Sequence, residues 1–213
     1  MRTYLYKLTS DRGGAPCAPP PLEGADPLLT LSICKPAIRR TAQAGDRLLG
    51  LTSVALARRE GYPLCAVIYA ARVSAAMEFG AYYEAGGAFG QRPDCIYRLD
   101  PETGLIAHTG QSRLHTEPGY LARDLGREPQ FRNARTLLCE EFRYFGAEAL
   151  VIPARFPLLR QVAEALGQGH RVFEAEDAEA GELDRLFALL WRRPTRWTPA
   201  VVEEEAPGHA PRA

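Results

Sequence analysis

Lysine is nearly absent from this chain of 213 residues: Lys7 and Lys35 are the only two, and arginine supplies the rest of the positive charge. A GC-rich coding sequence accounts for that bias and leaves Lys35 conspicuous. Net charge is absent as well, since 26 basic side chains face 26 acidic ones. A neutral chain lacks the broad cationic surface of a nonspecific duplex binder, whose affinity grows with the phosphates it neutralises. The five cysteines (Cys17, Cys34, Cys65, Cys95, Cys139) are odd in number and form no CxxC pair. No histidine stands at zinc-ligand spacing from any of them, so neither a disulfide framework nor a zinc module is indicated. The pattern points to free thiols in a reducing cytoplasm, with no structural metal and no cofactor. The opening MRTYLYKLTSD has no apolar core of a signal peptide, and no apolar run approaches a membrane span. No GxGxxG follows a strand candidate and no GxxxxGK[ST] loop occurs, which removes the usual phosphate cradles. There is no internal repeat.

What is present is a globular pattern: 46% hydrophobic and 24% charged residues suffice for one core plus an appendage. Residues 1–8 alternate as a half-buried strand does, and LLTLSIC, DRLLGLTS and CAVIYAARVS read as further strands. PAIRRTAQA supplies about two helical turns between Pro36 and Gly45. EFGAYYEAG reads as a short helix. DCIYRLD and LIAHT form a strand pair across the turn residues Pro101 to Gly104. NARTLLCEEFRYFG is strand-like, and EALVIP is a short extended piece. After Pro157, Leu158, Leu159, Val162 and Leu166 share one helical face, and Leu183, Leu186, Phe187, Leu190 and Trp191 mark a second amphipathic helix. Many short strands with few helices between them predict an α+β fold, a small curled antiparallel sheet or barrel with flanking helices. The expected organisation is a domain over residues 1–155, a two-helix extension over 156–193 packed on it, and a disordered tail from 194 to 213.

Five segments in register carry a resemblance: YLYKL, LTLSICKPAIRRTAQAGDRLLGLTS, AVIYAARVSAAMEFGAYYE, RPDCIYR and LLCEEFRYFG. Together they make the chain resemble the nucleotide modification associated domain family, second type, over roughly residues 1–155. That resemblance implies a setting in phage or bacterial systems that handle modified DNA bases. An Arg-bearing helix, a Gly-Asp pair and two strands are also similar to the EVE, YTH and ASCH branch of PUA-like barrels. This second similarity implies a PUA/EVE-like β-barrel with a base pocket at one end.

Candidate site residues follow from charge and aromaticity. Lys35, Arg39 and Arg40 stand around one helical turn, with Lys35 and Arg39 four apart on a shared face. Arg offers a planar fork for phosphate or a base edge, and Lys a mobile point charge. Base stacking calls for aromatic walls, for which Tyr82, Tyr97 and Tyr144 are candidates. Glu141, on the strand face opposite Phe142 and Tyr144, can accept from an exocyclic amine. Arg92 and Asp94 flank Pro93 in a segment shared with the resembled family. His115 follows Gln111, Ser112 and Arg113 in a polar loop and is the acid–base candidate there. Cys34 reads as a buried thiol at a strand end, and residue order alone suggests no Cys-His or Ser-His-Asp arrangement.

Three functions compete. The first is a binding module for a nucleotide or modified nucleobase, free or in nucleic acid, in a DNA-modification or phage-defence setting. The second is an enzyme acting on a nucleotide or base, with Asp94, His115 or Glu141 as acid or base. The third is a protein-interaction adaptor using the C-terminal helices. Geometry discriminates them: rings converging on a pocket without paired titratable groups indicate binding, whereas two facing acids, or an acid facing His115, indicate catalysis.

Overall fold

The computed structural model describes residues 1–78, 81–84, 89–100, 102–104, 106–110 and 112–199. Phe79, Gly80, Ala85 and Gly86 of the expected short helix, Pro101 of the expected turn, Gln111, and the tail from Ala200 onward lie outside them.

Eleven strands and six α-helices follow one another along the described residues. They are β1 (Thr3–Leu8), β2 (Leu29–Leu31), α1 (Pro36–Thr41), β3 (Arg47–Thr52), α2 (Val54–Glu60), β4 (Ala66–Arg72), β5 (Ala75–Met77) and α3 (Ala81–Glu84). Then come β6 (Tyr97–Leu99), β7 (Ile106–His108), α4 (Pro118–Leu125), β8 (Thr136–Cys139), β9 (Glu141–Tyr144), β10 (Leu150–Val151), α5 (Pro157–Ala165), β11 (His170–Phe173) and α6 (Ala180–Trp191). The central sheet runs β10-β4-β3-β1-β11, with β9 also paired to β4. Its β1–β3 pair is parallel and its other pairs are antiparallel. A second sheet has the order β2-β8-β5, and β6 and β7 form a separate ribbon. This is an α+β fold of open sheets. Among the described residues no sheet closes on itself, so the PUA/EVE-like barrel expected from the looser similarity is not formed.

Two-sided burial explains why the central strands read as apolar runs with weak alternation. Tyr4, Tyr6, Leu8, Leu48 and Ile68 pack toward β2 and β8, in one cluster with Leu29, Leu31 and Leu137. Leu5, Leu49, Val67 and Ala70 pack toward α5 and α6, against Leu159, Ala163, Leu183, Leu186 and Leu190. Each such leucine contributes about 1.5–3 kcal/mol relative to exposure. The apolar faces of both C-terminal helices therefore cover the sheet. Between them β11, unrecognised in the sequence, adds an antiparallel edge strand beside β1. Glu182 of α6 is buried because its carboxylate accepts from the Leu158 and Leu159 amides at the start of α5.

At the centre of the sheet Gly50 lies beside Tyr6 on one strand and Tyr69 on the other. A Cβ at Gly50 would come within 2.3 Å of the Tyr69 ring. Its absence lets the two rings meet edge to face, and their hydroxyls share a hydrogen bond. Residues 195–198 are also ordered by contact. The Arg196 amide donates to Tyr144 O, the Thr198 amide to Ala18 O, and Trp197 packs edge-on against Phe142. These contacts involve the first residues of the segment expected as a tail, 194–213.

A thiol, an imidazole and a carboxylate in a cationic cleft

A third apolar cluster, built on Ile33, Ile96, Tyr97, Ile106, Leu125 and Phe131, holds the β6–β7 ribbon and α4 beside the end of β2. Between this cluster and the end of β1 lies a cleft of about 550 Å³, within the size range of small-molecule sites. Gly14 lines it, and a methyl group there would stand 2.6 Å from Leu114 Cδ1.

Cys34 sits in the cleft wall, between β2 and α1. Both Cys34 (φ 55°) and Lys35 (φ 43°) have left-handed backbones, a conformation uncommon outside glycine. The surroundings fix it. The Cys34 amide donates to Asp124 Oδ1 at 2.9 Å, and its carbonyl accepts from Arg39 Nε at 2.7 Å. The half-buried Cys34 Sγ shares a hydrogen bond with His115 Nε2 at 3.5 Å. On the other side of the ring, His115 Nδ1–H donates to Asp124 Oδ2 at 2.5 Å. Asp124 is buried on α4 and also accepts from the Tyr97 hydroxyl at 2.7 Å. Tyr120, one helical turn before Asp124, stacks on the imidazole with centroids 4.3 Å apart and planes 15° from parallel.

The electrostatics follow from these contacts. Burial opposes charge on His115, but the hydrogen bonds to Asp124 and Cys34 outweigh it, and the imidazole is pushed up from 6.5 to about 9. Burial likewise opposes ionisation of Asp124. The donors His115, Tyr97 and the Cys34 amide still hold that carboxyl below its ordinary range. With the ring's proton held between Nδ1 and Asp124, Nε2 and the sulfur can exchange a second proton directly.

Cys34, His115 and Asp124 offer a set of potential metal ligands whose atoms lie within 4.8 Å of one another. Their arrangement is a relay and not a cage. Both imidazole nitrogens are engaged in opposite directions, and both carboxylate oxygens already accept hydrogen bonds. A tetrahedral zinc needs its ligands turned toward one point.

Of the residues expected from sequence, Lys35 and His115 line the cleft. Arg39 is fully buried and donates to the carbonyls of Cys34, Asn133, Arg135 and Asp124, so it shapes the wall from behind. Tyr97 supports Asp124. Arg40 is exposed and bonds Asn133 Oδ1. Asp94 is buried under Tyr82, Thr30 and Ser32, all of which donate to it, and Arg92 lies 3.7 Å away. Tyr144 donates to Asp11. Glu141 is exposed in an ion pair with Arg72 at 3.4 Å. The cationic turn and the Glu141–Tyr144 strand therefore do not share this cleft. The residues missed in the sequence are Cys34 as part of a triad, Asp124 and Tyr120; the last two stand four apart on one helix, but no local signal ties them to Cys34.

The raised imidazole makes one prediction for stability. A group whose folded pKa lies above its unfolded value stabilises fully below the unfolded pKa and loses that contribution as pH rises through the folded one. For His115 the loss runs from about 6.5 to about 9. Melting temperatures of the wild type should fall more steeply across that window than those of His115→Asn. Parallel slopes would refute the assignment.

No curated protein and no solved structure shows significant similarity to this chain. The profile of one family, nucleotide modification associated domain 2, matches residues 1–204 and so spans both C-terminal helices and β11 as well as the segments recognised in the sequence. The chain belongs to the nucleotide modification associated domain 2 family.

Proposed function

We propose that this protein is a thiol-nucleophile enzyme of acyl-transfer type, acting in a nucleotide-modification setting such as DNA modification or phage defence. The supporting observation is the Cys34–His115–Asp124 relay in the wall of a small-molecule-sized cleft. An acid facing His115 is the feature that separates catalysis from simple binding. A base reader would call for rings on facing walls, and Tyr120 is the one tyrosine among the cleft's lining residues, with a ring face already covered by His115.

The chemistry runs as follows. Sγ attacks an acyl carbon, forming the C–S bond, while the thiol proton resides on His115 Nε2. The tetrahedral intermediate collapses by breaking the bond to the leaving group, which takes that proton. Water or an amine then attacks the thioester, gives its proton to Nε2, and releases Cys34, which recovers it. Asp124 holds the ring in the tautomer and orientation that both steps require.

The test uses an activated ester, p-nitrophenyl acetate. The expected result is a burst of nitrophenolate equal to the enzyme concentration, with a single acetyl group on Cys34 found by peptide mass spectrometry. Cys34→Ser and His115→Ala should abolish the burst. Acetyl groups distributed equally over Cys34, Cys65 and Cys95, the three half-buried thiols, would overturn the proposal.

A further inference from the structure

Tyr120 touches the relay but takes no part in the hydrogen bonds that join Cys34, His115 and Asp124. It stands four positions before Asp124 on α4, a spacing that puts two side chains on one helix face. Both residues meet the same imidazole. Asp124 grips His115 in the ring plane, at Nδ1. Tyr120 lies flat on the ring face, with centroids 4.3 Å apart and planes 15° from parallel.

The hydrogen bonds alone restrain the imidazole loosely. The contact between His115 Nε2 and Cys34 Sγ is 3.5 Å long, and rotation about χ2 carries Nε2 off the line to the sulfur. That torsion is broad in histidine, without narrow staggered wells of its own. His115 also has a left-handed backbone, with φ 54°, a conformation that persists where neighbours hold it. A ring stacked on the face supplies the restraint, because tilting the imidazole drives its edge into Tyr120.

The stack also acts electrostatically. An aromatic face is electronegative, and a cation within about 6 Å of its centroid is attracted to it. Tyr120 therefore favours the imidazolium, the form His115 takes when it receives the thiol proton. The other titratable groups in contact with the imidazole are Cys34, from the segment before α1, and Asp124, with Tyr97 behind the carboxylate. Lys35, Arg113 and Glu117 line the same cleft. Arg123 lies 5.2 Å from the centre of the Tyr120 ring but is exposed to water.

We infer that Tyr120 is a positioning residue of the relay: its face holds the His115 imidazole in the plane that aims Nε2 at the Cys34 sulfur, and it stabilises the ring as that ring becomes charged. This rests on reading Cys34 as the nucleophile and deepens it, since α4 then supplies both the in-plane and the out-of-plane restraint on one base. The role belongs to the ring face and not to the hydroxyl. Phenylalanine should serve as well as tyrosine, whereas leucine gives apolar cover without a π face.

The full-length wild type is compared with Tyr120→Phe and Tyr120→Leu. The pH midpoint of His115, followed by NMR, should fall by about 0.5 unit or more in Tyr120→Leu, the scale of one cation–π contact. In Tyr120→Phe it should stay near the wild-type value. The rate constant of the p-nitrophenyl acetate burst at neutral pH should drop about three- to tenfold in Tyr120→Leu and much less in Tyr120→Phe. A Tyr120 that only fills space would lower the melting temperature on replacement and leave the midpoint unmoved. Should leucine prevent folding, the wild type decides: its His115 ring protons should resonate upfield of those in free histidine at matched protonation, as protons over an aromatic face do. Tyr120→Trp should keep both that displacement and the burst. Equal midpoints in all the variants, or His115 resonances without upfield displacement, overturn the proposal. Equal loss of the burst in Tyr120→Phe and Tyr120→Leu also overturns it, by assigning the effect to the hydroxyl. Failure of the underlying reading looks different: a wild type without a burst removes acyl transfer, and the midpoints still decide whether Tyr120 holds the ring.

Discussion

Arg39→Met is expected to destabilise the fold by about 3–5 kcal/mol, the range for removing one partner from a buried charged network. The Arg39 side chain has no exposure to solvent, and its fork reaches four main-chain carbonyls. Those carbonyls belong to Cys34, Asp124, Asn133 and Arg135, so one guanidinium fastens the segment before α1 to the end of α4 and to the approach to β8. Methionine fills comparable volume but donates nothing, and it leaves four acceptors in a place water enters poorly. Each unsatisfied group costs about 1–3 kcal/mol, partly relieved by local movement. Arg39→Lys retains a charge, yet three rotating donors on one nitrogen do not reproduce a planar fork. The lysine variant should fall between the wild type and Arg39→Met. Urea unfolding at neutral pH measures this, and a midpoint for Arg39→Met within error of the wild type would refute the structural role. The same variant should also lose the acylation burst expected at Cys34, because the Cys34 and Asp124 carbonyls are two of the four anchors.

Arg39 shows where sequence reading succeeds and where it stops. Its helix, its strand neighbours and its importance were legible: Pro36 starts α1, Gly45 follows its end, and β3 and β4 are apolar runs. The direction of its side chain was not legible, because a cation on a short helix looks the same facing a ligand or four carbonyls. LLCEEFRYFG read as one strand, whereas β8 and β9 join different sheets at Glu140, without glycine or proline to mark the corner. β11 has four residues between two helices, and its partner β1 lies at the other end of the chain, so no local pattern announces it. The relay was hidden for a similar reason. Cys34 and His115 are 81 positions apart, and Asp124 follows on a helix that polar flanks and two glycines disguise. Charge and aromatic density drew attention to Glu141, and the segment shared with the resembled family drew it to Asp94; the fold uses them for a surface ion pair and for an internal anchor.

Asp124→Asn should lower acyl transfer by Cys34 about 10²–10⁴-fold, the scale seen when the carboxylate of such a relay is made an amide. Three donors now converge on the carboxylate: the Cys34 amide, the Tyr97 hydroxyl and His115 Nδ1–H. An amide has one oxygen to offer and brings two hydrogens of its own. The Cys34 amide cannot reverse its role, whereas Tyr97 and His115 can each accept. The least costly arrangement gives the Asn oxygen to Cys34 and turns its NH₂ toward the imidazole. The ring then carries its proton on Nε2, facing the sulfur, and has no lone pair there to receive the thiol proton. Without the carboxylate, the imidazole should also fall from about 9 toward the ordinary value near 6.5. Two readouts distinguish this from simple loss of structure. The pH midpoint of His115, followed by NMR, should drop by one unit or more, consistent with the loss of a nearby opposite charge. Tyr97→Phe, which removes a different hydrogen bond from the same carboxylate, should change the rate by only a few-fold, as a supporting contact of about 1 kcal/mol would. Equal losses in the two variants, with the His115 midpoint unmoved, would mean that Asp124 holds the backbone of Cys34 in place and has no part in moving its proton.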